Sequence, residues 1–328
     1  MNIVYAADEK FAEILAVSLE SLYDSNKALT ELNVYVLDDG LSDTSKDRLF
    51  QQSNAYGRTL TFVGVKAVDD YVGVAISFQK KLSRATFYRL FCTKLLPEHL
   101  ERVLYVDCDT VVLDSLTELE NFEMSGFCAA VDEPTAPMMK KKIELKPNDP
   151  YFNAGVMLID LKKWREGNVT ERFIAYLKEK NGNVSFEDQG VLNHVFLNQI
   201  DRLPMRYNVT TQWYAFGFNG FCMTKRDTVE YTENEAQKAC ENPAIVHFTN
   251  CYVMARPWVR LNEHPFAYKW QESKEKTPWA ASSAWNDTRG AGKKICAGIY
   301  KMLPGKLKYH FTYLVNGVLR PMLESLKG

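Results

Sequence analysis

Two carboxylates one residue apart, Asp107 and Asp109, interrupt an apolar run in YVDCDTVV (105–112). Aspartate is a poor strand former and costly to bury without a partner, so a pair of them between valine-rich flanks calls for a counter-charge. A divalent cation supplies one: oxygen ligands of this kind suit Mg²⁺, Mn²⁺ or Ca²⁺. The same spacing also fits an acidic strand-to-loop turn in which Asp109 merely caps backbone amides. His247, in AIVHFTN near the end of another apolar stretch, can join the pair if the fold brings the strand ends together. Two aspartates and one imidazole would favour Mn²⁺ over Mg²⁺, because the ring nitrogen is the softer donor. Read alone, a histidine so placed fits a hydrogen-bonded core position equally.

Three further stretches carry candidate chemistry. YFNAGVMLID (151–160) puts Asn153 ahead of Ala154 and Gly155, residues small enough to let a ligand approach the backbone. FEDQGVLNHVF (186–196) sets Asp188 and Gln189 at the start of a predicted helix, where Asp188 also fits a simple cap. SRATFYRL (83–90) carries Arg84 and Arg89, suited to neutralising phosphate or to a solvated surface. The sequence has no Walker loop, GxGxxG, GxSxG or HExxH, so kinase, dehydrogenase, α/β-hydrolase and zinc-protease readings lack their usual support.

The elements that must position these residues alternate. Residues 2–6 read as a strand, and Phe11, Ile14, Leu15, Leu19 and Leu22 then recur at helical spacing after Asp8. LNVYVLDD reads as a second strand, residues 42–54 as a helix capped by Ser42, and TLTFVGV as a third strand. Such alternation predicts a mainly parallel sheet flanked by helices, with ligands at the carboxyl ends of strands. Asp8, Asp38, Asp107 and Asp109 all fall at such ends. Later strands are expected at 127–131, 154–160 and 244–248, and helices at 171–180 and 187–197.

The 328 residues suffice for one large or two smaller domains, and a formal charge of −1 gives no argument for nucleic-acid binding. Seven scattered cysteines without a CxxC suggest neither a disulfide framework nor a zinc ribbon and fit a reducing compartment. The N-terminus has no basic leader and no apolar run approaches membrane-spanning length, so the catalytic part is expected in the cytoplasm and the three N-x-[ST] sequons read as chance. From Arg289 onward eight Lys or Arg stand against one acid, Glu324, with Leu307, Phe311, Leu314, Val315, Val318, Leu319, Met322 and Leu326 at helical spacing. A basic amphipathic segment of this kind suits an anionic membrane surface, or a helix packed on the catalytic domain with its lysines in water.

Taken in order, the AAD near the N-terminus, YVDCDTVV, AAVDE, YFNAGVMLIDLKKW, FEDQGVLN and HFTN…RPW resemble glycosyltransferase family 8, which includes bacterial lipopolysaccharide galactosyltransferases and glucosyltransferases and glycogenin. The resemblance spans about residues 1–260. It implies a GT-A fold, a mixed Rossmann-like sheet flanked by helices, over residues 1–268, with residues 269–328 as a small helical C-terminal extension. It also implies a UDP-hexose donor, Mn²⁺ with Mg²⁺ as the alternative, a glycan or glycolipid acceptor, and transfer that retains the anomeric configuration.

Carried over by position, Asp107, Asp109 and His247 match the family's metal ligands. Asp8 and Phe11 match the acid and the aromatic at the uracil, and Arg89 the arginine that reaches the donor's phosphate or sugar. Asp132, Asn153, Asp188 and Gln189 match positions lining the donor sugar. Where the family often has H-x-x-G-x-x-K-P-W, this chain reads HFTNCYVMARPW: Asn250 replaces the Gly, the loop is three residues longer, and Arg256 replaces the Lys at the diphosphate. Retention can proceed by double displacement or by front-face attack. Gln189 is a weak neutral nucleophile and Asp188 or Asp132 a better one, and front-face attack is the reading favoured. Two other functions share these residues: a metal-dependent nucleotide-sugar phosphohydrolase and a non-catalytic nucleotide-sugar-binding protein.

Overall fold

The computed structural model describes residues 1–68, 84–261 and 263–319; Ser83 and everything from Arg320 onward, including Met322, Glu324 and Leu326, lie outside the described residues. The strands are β1 (Asn2–Ala7), β2 (Asn33–Asp38), β3 (Thr59–Gly64), β4 (Arg102–Val106), β5 (Thr110–Val112), β6 (Cys128–Asp132), β7 (Phe152–Asp160), β8 (Ile200–Arg202), β9 (Val209–Thr210) and β10 (Ile245–His247). The helices used below are α1 (Ala12–Ser25), α2 (Asp43–Ala55), α3 (Val169–Glu179), α4 (Glu187–Val195), α5 (Thr211–Lys225) and α6 (Ala291–Met302). Ser42 Oγ accepts from the Ser45 amide at 3.2 Å and starts α2, as its sequence predicts. Helix α1 begins later than its apolar stripe, because Asp8 first caps a single 3₁₀ turn, Glu9–Phe11, by accepting from the Phe11 amide at 3.1 Å.

Seven strands form one sheet in the order β3-β2-β1-β4-β7-β6-β8. Its first four strands run parallel, as the alternation predicts, whereas β7 is antiparallel to both β4 and β6. The 133–151 link turns back at the same end of the sheet instead of crossing it, which reverses β7. That reversal sets the start of β7 beside the ends of β4 and β6, with Val156 opposite Val106 and Phe152 opposite Asp132. A register shift between Ala130 and Val131 leaves residues 154–156 without partners on β6, so this part of β7 serves the β4 end.

Alternate residues divide the core between the two sheet faces: Leu104 and Val106 pack with α1, and Val103 and Tyr105 with α3 and α4. Leu104 and Val106 are 1% and 0% exposed, and each such side chain contributes about 1.5–3 kcal/mol. A second sheet, β5-β10-β9, places His247 opposite Thr110 on one side and Thr210 on the other. The Asp107–Asp109 turn is therefore the crossing point between the sheets.

The chain after residue 268 leans on the same core, with Trp270, Ala297 and Tyr300 buried and Lys274 paired with Glu13 at 2.8 Å. The expected C-terminal stripe is helical throughout its described part: a short α-helix, Leu307–Thr312, runs directly into π-helical turns over Tyr313–Leu319, and Pro304 and Gly305 separate this stretch from α6.

Candidate functional site

Asp107, Asp109 and His247 converge: one ligand atom from each lies within 4.8 Å of the others. His247 Nε2 sits 3.1 Å from Asp109 Oδ1 and 3.7 Å from Asp107 Oδ2. Backbone pairing fixes this geometry, since the Asp107 amide donates to the Gly155 carbonyl at 2.7 Å and the Phe248 amide to the Asp109 carbonyl at 2.8 Å. Below the turn, Thr110 Oγ1 donates to the Asp107 carbonyl at 2.9 Å and meets Ser18 Oγ at 2.9 Å. Burial pushes the Asp107 carboxyl up despite Arg89 and His247 beside it. Burial acts on Asp109 in the same sense but is outweighed by His247 and Arg256, which together hold its carboxyl low. Burial disfavours the charged His247 ring, yet Asp109, with Asp107 and Glu133 behind it, outweighs burial and raises its pKa.

The donor set fits a divalent cation. His247 Nδ1 lies 2.9 Å from Asn208 Oδ1, an acceptor, so Nδ1 carries a proton and Nε2 is the nitrogen turned toward the carboxylates, able to give up its own proton for a cation. Two hard oxygens and one imidazole nitrogen form a set that Mn²⁺ accepts readily. The turn thus sets both carboxylates beside an imidazole nitrogen.

Arg89 is 3% exposed and ties this cluster to the other candidates. Its Nη2 donates to Asp107 Oδ1 at 2.8 Å, its Nε lies 2.9 Å from Asp188 Oδ2, and its Nη1 donates to the Ala154 carbonyl. The guanidinium also lies 4.3 Å over the Tyr105 ring. Arg89 therefore spends its donors on the protein and spaces Asp107 from Asp188. Arg84 meets the Tyr88 hydroxyl.

Asp188 is not the cap of α4: that position is Phe186, which makes no side-chain cap bond. Phe186 and Glu187 both adopt the left-handed region, at φ 63° and 55°. Two consecutive non-glycine residues there cost energy and turn Asp188 inward onto Arg89. The tight entry also explains Gly190, where a Cβ would lie 2.0 Å from the Ser185 carbonyl oxygen. Burial lifts the Asp188 carboxyl to about 7 against the pull of Arg89. Gln189 is fixed at both ends: its Oε1 accepts from the Ala154 amide at 3.0 Å and its Nε2 donates to the Tyr151 hydroxyl at 2.8 Å.

Asn153 Nδ2 donates to Glu133 Oε2 at 2.6 Å, while its Oδ1 accepts from the Gly155 amide at 2.9 Å and from Asn208 Nδ2 at 3.0 Å. Asp132, at the end of β6, pairs with Arg202 Nε at 2.6 Å, and burial still raises its pKa. Asp8 follows β1 at the same sheet end, with Phe11 packed partly into the core behind it. Asn250 is exposed, and its carbonyl accepts from Gln212 Nε2 at 3.3 Å. Arg256 Nη2 lies 3.2 Å from Asp109 Oδ2.

Two functional residues escape the sequence reading. Asn208, fully buried, reads there only as part of a sequon, yet it links Asn153 to His247. Glu133 anchors Asn153 and lies within AAVDE without standing out. Gly155 was legible as a place for close approach, but what approaches is protein: a Cβ there would lie 2.1 Å from His247 Cε1 and 2.8 Å from Asp107 Oδ2.

Comparison with known proteins agrees with this geometry. The family described as Glycosyl transferase family 8 matches residues 2–262. The chain is 28% identical to general stress protein A of Bacillus subtilis, over 85% of this chain and 94% of that protein. It is 26% identical to a lipopolysaccharide 1,2-glucosyltransferase of Escherichia coli, over 86% and 80%. Its fold is similar to the crystal structure of the galactosyltransferase LgtC in complex with donor and acceptor sugar analogues, with a TM-score of 0.72 and 26% identity over 86% of this chain and 99% of that one. With the mixed sheet, the Asp-Asp-His cluster and the matched residues in agreement, the chain belongs to glycosyltransferase family 8.

Proposed function

We propose that this glycosyltransferase is a metal-dependent retaining enzyme that moves glucose or galactose from a UDP-sugar to a glycan or glycolipid acceptor in cell-surface polysaccharide or lipopolysaccharide-type synthesis. The observation that carries the proposal is the convergence of Asp107, Asp109 and His247 at the carboxyl end of β4. The similar E. coli enzyme is named for glucosyl transfer and LgtC for galactosyl transfer, so both sugars stand as donors.

Asp107, Asp109 and His247 would hold Mn²⁺ or Mg²⁺, which when bound neutralises charge on the departing diphosphate. Asp8 and Phe11 bind the uracil at the β1 end. Asn153, Asp188, Gln189 and Asp132 surround the donor sugar, oriented by Glu133, Arg89, Ala154 and Arg202 respectively. Gln189 has its carbonyl engaged by a backbone amide and Asp188 has its carboxylate engaged by Arg89. Neither is presented as an unencumbered nucleophile, which supports front-face attack, with the acceptor proton passing to a donor phosphate oxygen. Buried Asp188 faces the positive charge that develops on the sugar and stabilises it when ionised.

No helix among the described residues is long and apolar enough to cross a membrane. Helix α6 exposes Ile295 and Met302, at 63% and 85%, beside Lys293, Lys294 and Lys301. This face supports peripheral attachment to the anionic cytoplasmic side of a membrane, where a lipid-linked acceptor would lie. Turnover of UDP-glucose and UDP-galactose, with and without a lipooligosaccharide acceptor, tests the function. Acceptor-stimulated UDP release giving an α-linked product is expected; release that no glycan accelerates would favour hydrolysis, and a β-linked product would exclude retention of an α donor.

A further inference from the structure

The chain departs from its family's pattern at Arg256, and the structure shows where that side chain goes. Nη2 of Arg256 lies 3.2 Å from Asp109 Oδ2, while the other oxygen of Asp109 lies 3.1 Å from His247 Nε2. One carboxylate thus serves two cationic partners. The guanidinium lies 5.2 Å over the Trp258 ring, and its buried Nε has no hydrogen-bond partner. A fork whose inner donor is idle is not in its best attainable arrangement, because an unmade buried hydrogen bond is costly.

The backbone around Arg256 is anchored. The Ala255 amide donates to Glu263 Oε2 at 2.9 Å, Glu263 pairs with Lys301 at 2.9 Å, and the Tyr252 carbonyl accepts from Arg289 at 3.0 Å. Trp258, two residues on, is 3% exposed. Rearrangement here belongs to the Arg256 side chain, with the loop as its fixed base. A divalent cation on Asp109 and a guanidinium on the same carboxylate repel each other. The anion that would arrive with such a cation, the donor's diphosphate, offers the bidentate oxygens that an arginine fork fits best.

We propose that Arg256 is the built-in counter-cation of the Asp107–Asp109–His247 cluster: it holds Asp109 until a divalent cation takes its place and then turns to the donor's diphosphate. The inference rests on the metal- and diphosphate-binding reading above and adds an order of events to it. It gives one residue effects of opposite sign on two ligands, which a merely structural residue would not have.

The test is calorimetric titration of the full chain with Mn²⁺ alone, and with UDP at saturating Mn²⁺, for wild type, Arg256→Gln and Arg256→Lys. Arg256→Gln should bind Mn²⁺ about tenfold more tightly and UDP about tenfold more weakly. Arg256→Lys keeps the charge and loses the fork, so it should hold Mn²⁺ affinity within about threefold while still weakening UDP. Unchanged or weaker Mn²⁺ binding by Arg256→Gln would overturn the counter-cation role, and unchanged UDP binding would overturn the hand-over. A wild type that binds no Mn²⁺ would overturn the metal reading itself, a result distinct from either.

Discussion

His247 Nδ1 lies 2.9 Å from Oδ1 of the fully buried Asn208, whose own amide donates to Asn153 Oδ1 at 3.0 Å. A single side chain thereby fixes both the histidine ring and the orientation of Asn153, an asparagine proposed to line the donor sugar. Asn208→Leu should weaken Mn²⁺ affinity by about 10- to 100-fold, as loss of a ligand's outer partner does. Titration with Mn²⁺ checks this, and unaltered affinity would remove Asn208 from the metal site.

Gly155 has no room for a methyl group. With a Cβ 2.1 Å from His247 Cε1, Gly155→Ala must displace the ring or the β7 backbone. A stability loss of about 1–3 kcal/mol in urea unfolding is expected, together with loss of Mn²⁺ binding. Retention of both would contradict the packing.

Asp188 gives a pH signature. Its folded pKa is raised from 3.8 to about 7, so the folded state holds a proton that the unfolded chain releases. Its stability contribution is present at low pH and is lost as pH rises from about 4 through about 7. Between pH 5 and pH 7 in EDTA, wild type should lose about 2–3 kcal/mol relative to Asp188→Asn, at roughly 1.36 kcal/mol per unit. Urea unfolding at the two pH values measures it, and a difference that does not change with pH contradicts it.

The C-terminal segment calls for point substitutions. On sequence alone, removal of residues 290–328 would abolish vesicle binding and spare donor hydrolysis. The structure shows Lys301 on Glu263, and Thr312 Oγ1 at 2.7 Å from the Tyr252 hydroxyl, so truncation also loosens the Arg256 loop. Ile295→Asp with Met302→Asp should instead reduce binding to anionic phosphatidylglycerol vesicles at least about tenfold without changing the melting temperature. Undiminished vesicle binding would remove this face from membrane attachment.

The β1–α1–β2–α2–β3 run was legible because its periodicities are clean and its caps conventional, Ser42 above all. The reversal of β7 was not. A strand buried on both faces lacks alternation, and whether its link crosses the sheet or turns back is not written in composition. Asp107, Asp109 and His247 were legible because charge in an apolar strand needs a reason, and that reason is local. Asn208 and Glu133 act through neighbours distant in sequence, and nothing in their own surroundings announces it. Arg89 showed the right residue type, but its inward fork onto Asp107 and Asp188 depends on the positive φ of Phe186 and Glu187, which no propensity favours.

A divalent cation held by Asp107, Asp109 and His247 is the proposed requirement of the transfer reaction. Its most direct test is UDP release from UDP-glucose and UDP-galactose with Mn²⁺, Mg²⁺ or EDTA, for wild type and Asp109→Ala. Cation-dependent release from wild type, abolished by EDTA and reduced at least about 1,000-fold in Asp109→Ala, is the predicted result. Release at equal rates in EDTA and Mn²⁺, or undiminished release by Asp109→Ala, would contradict it.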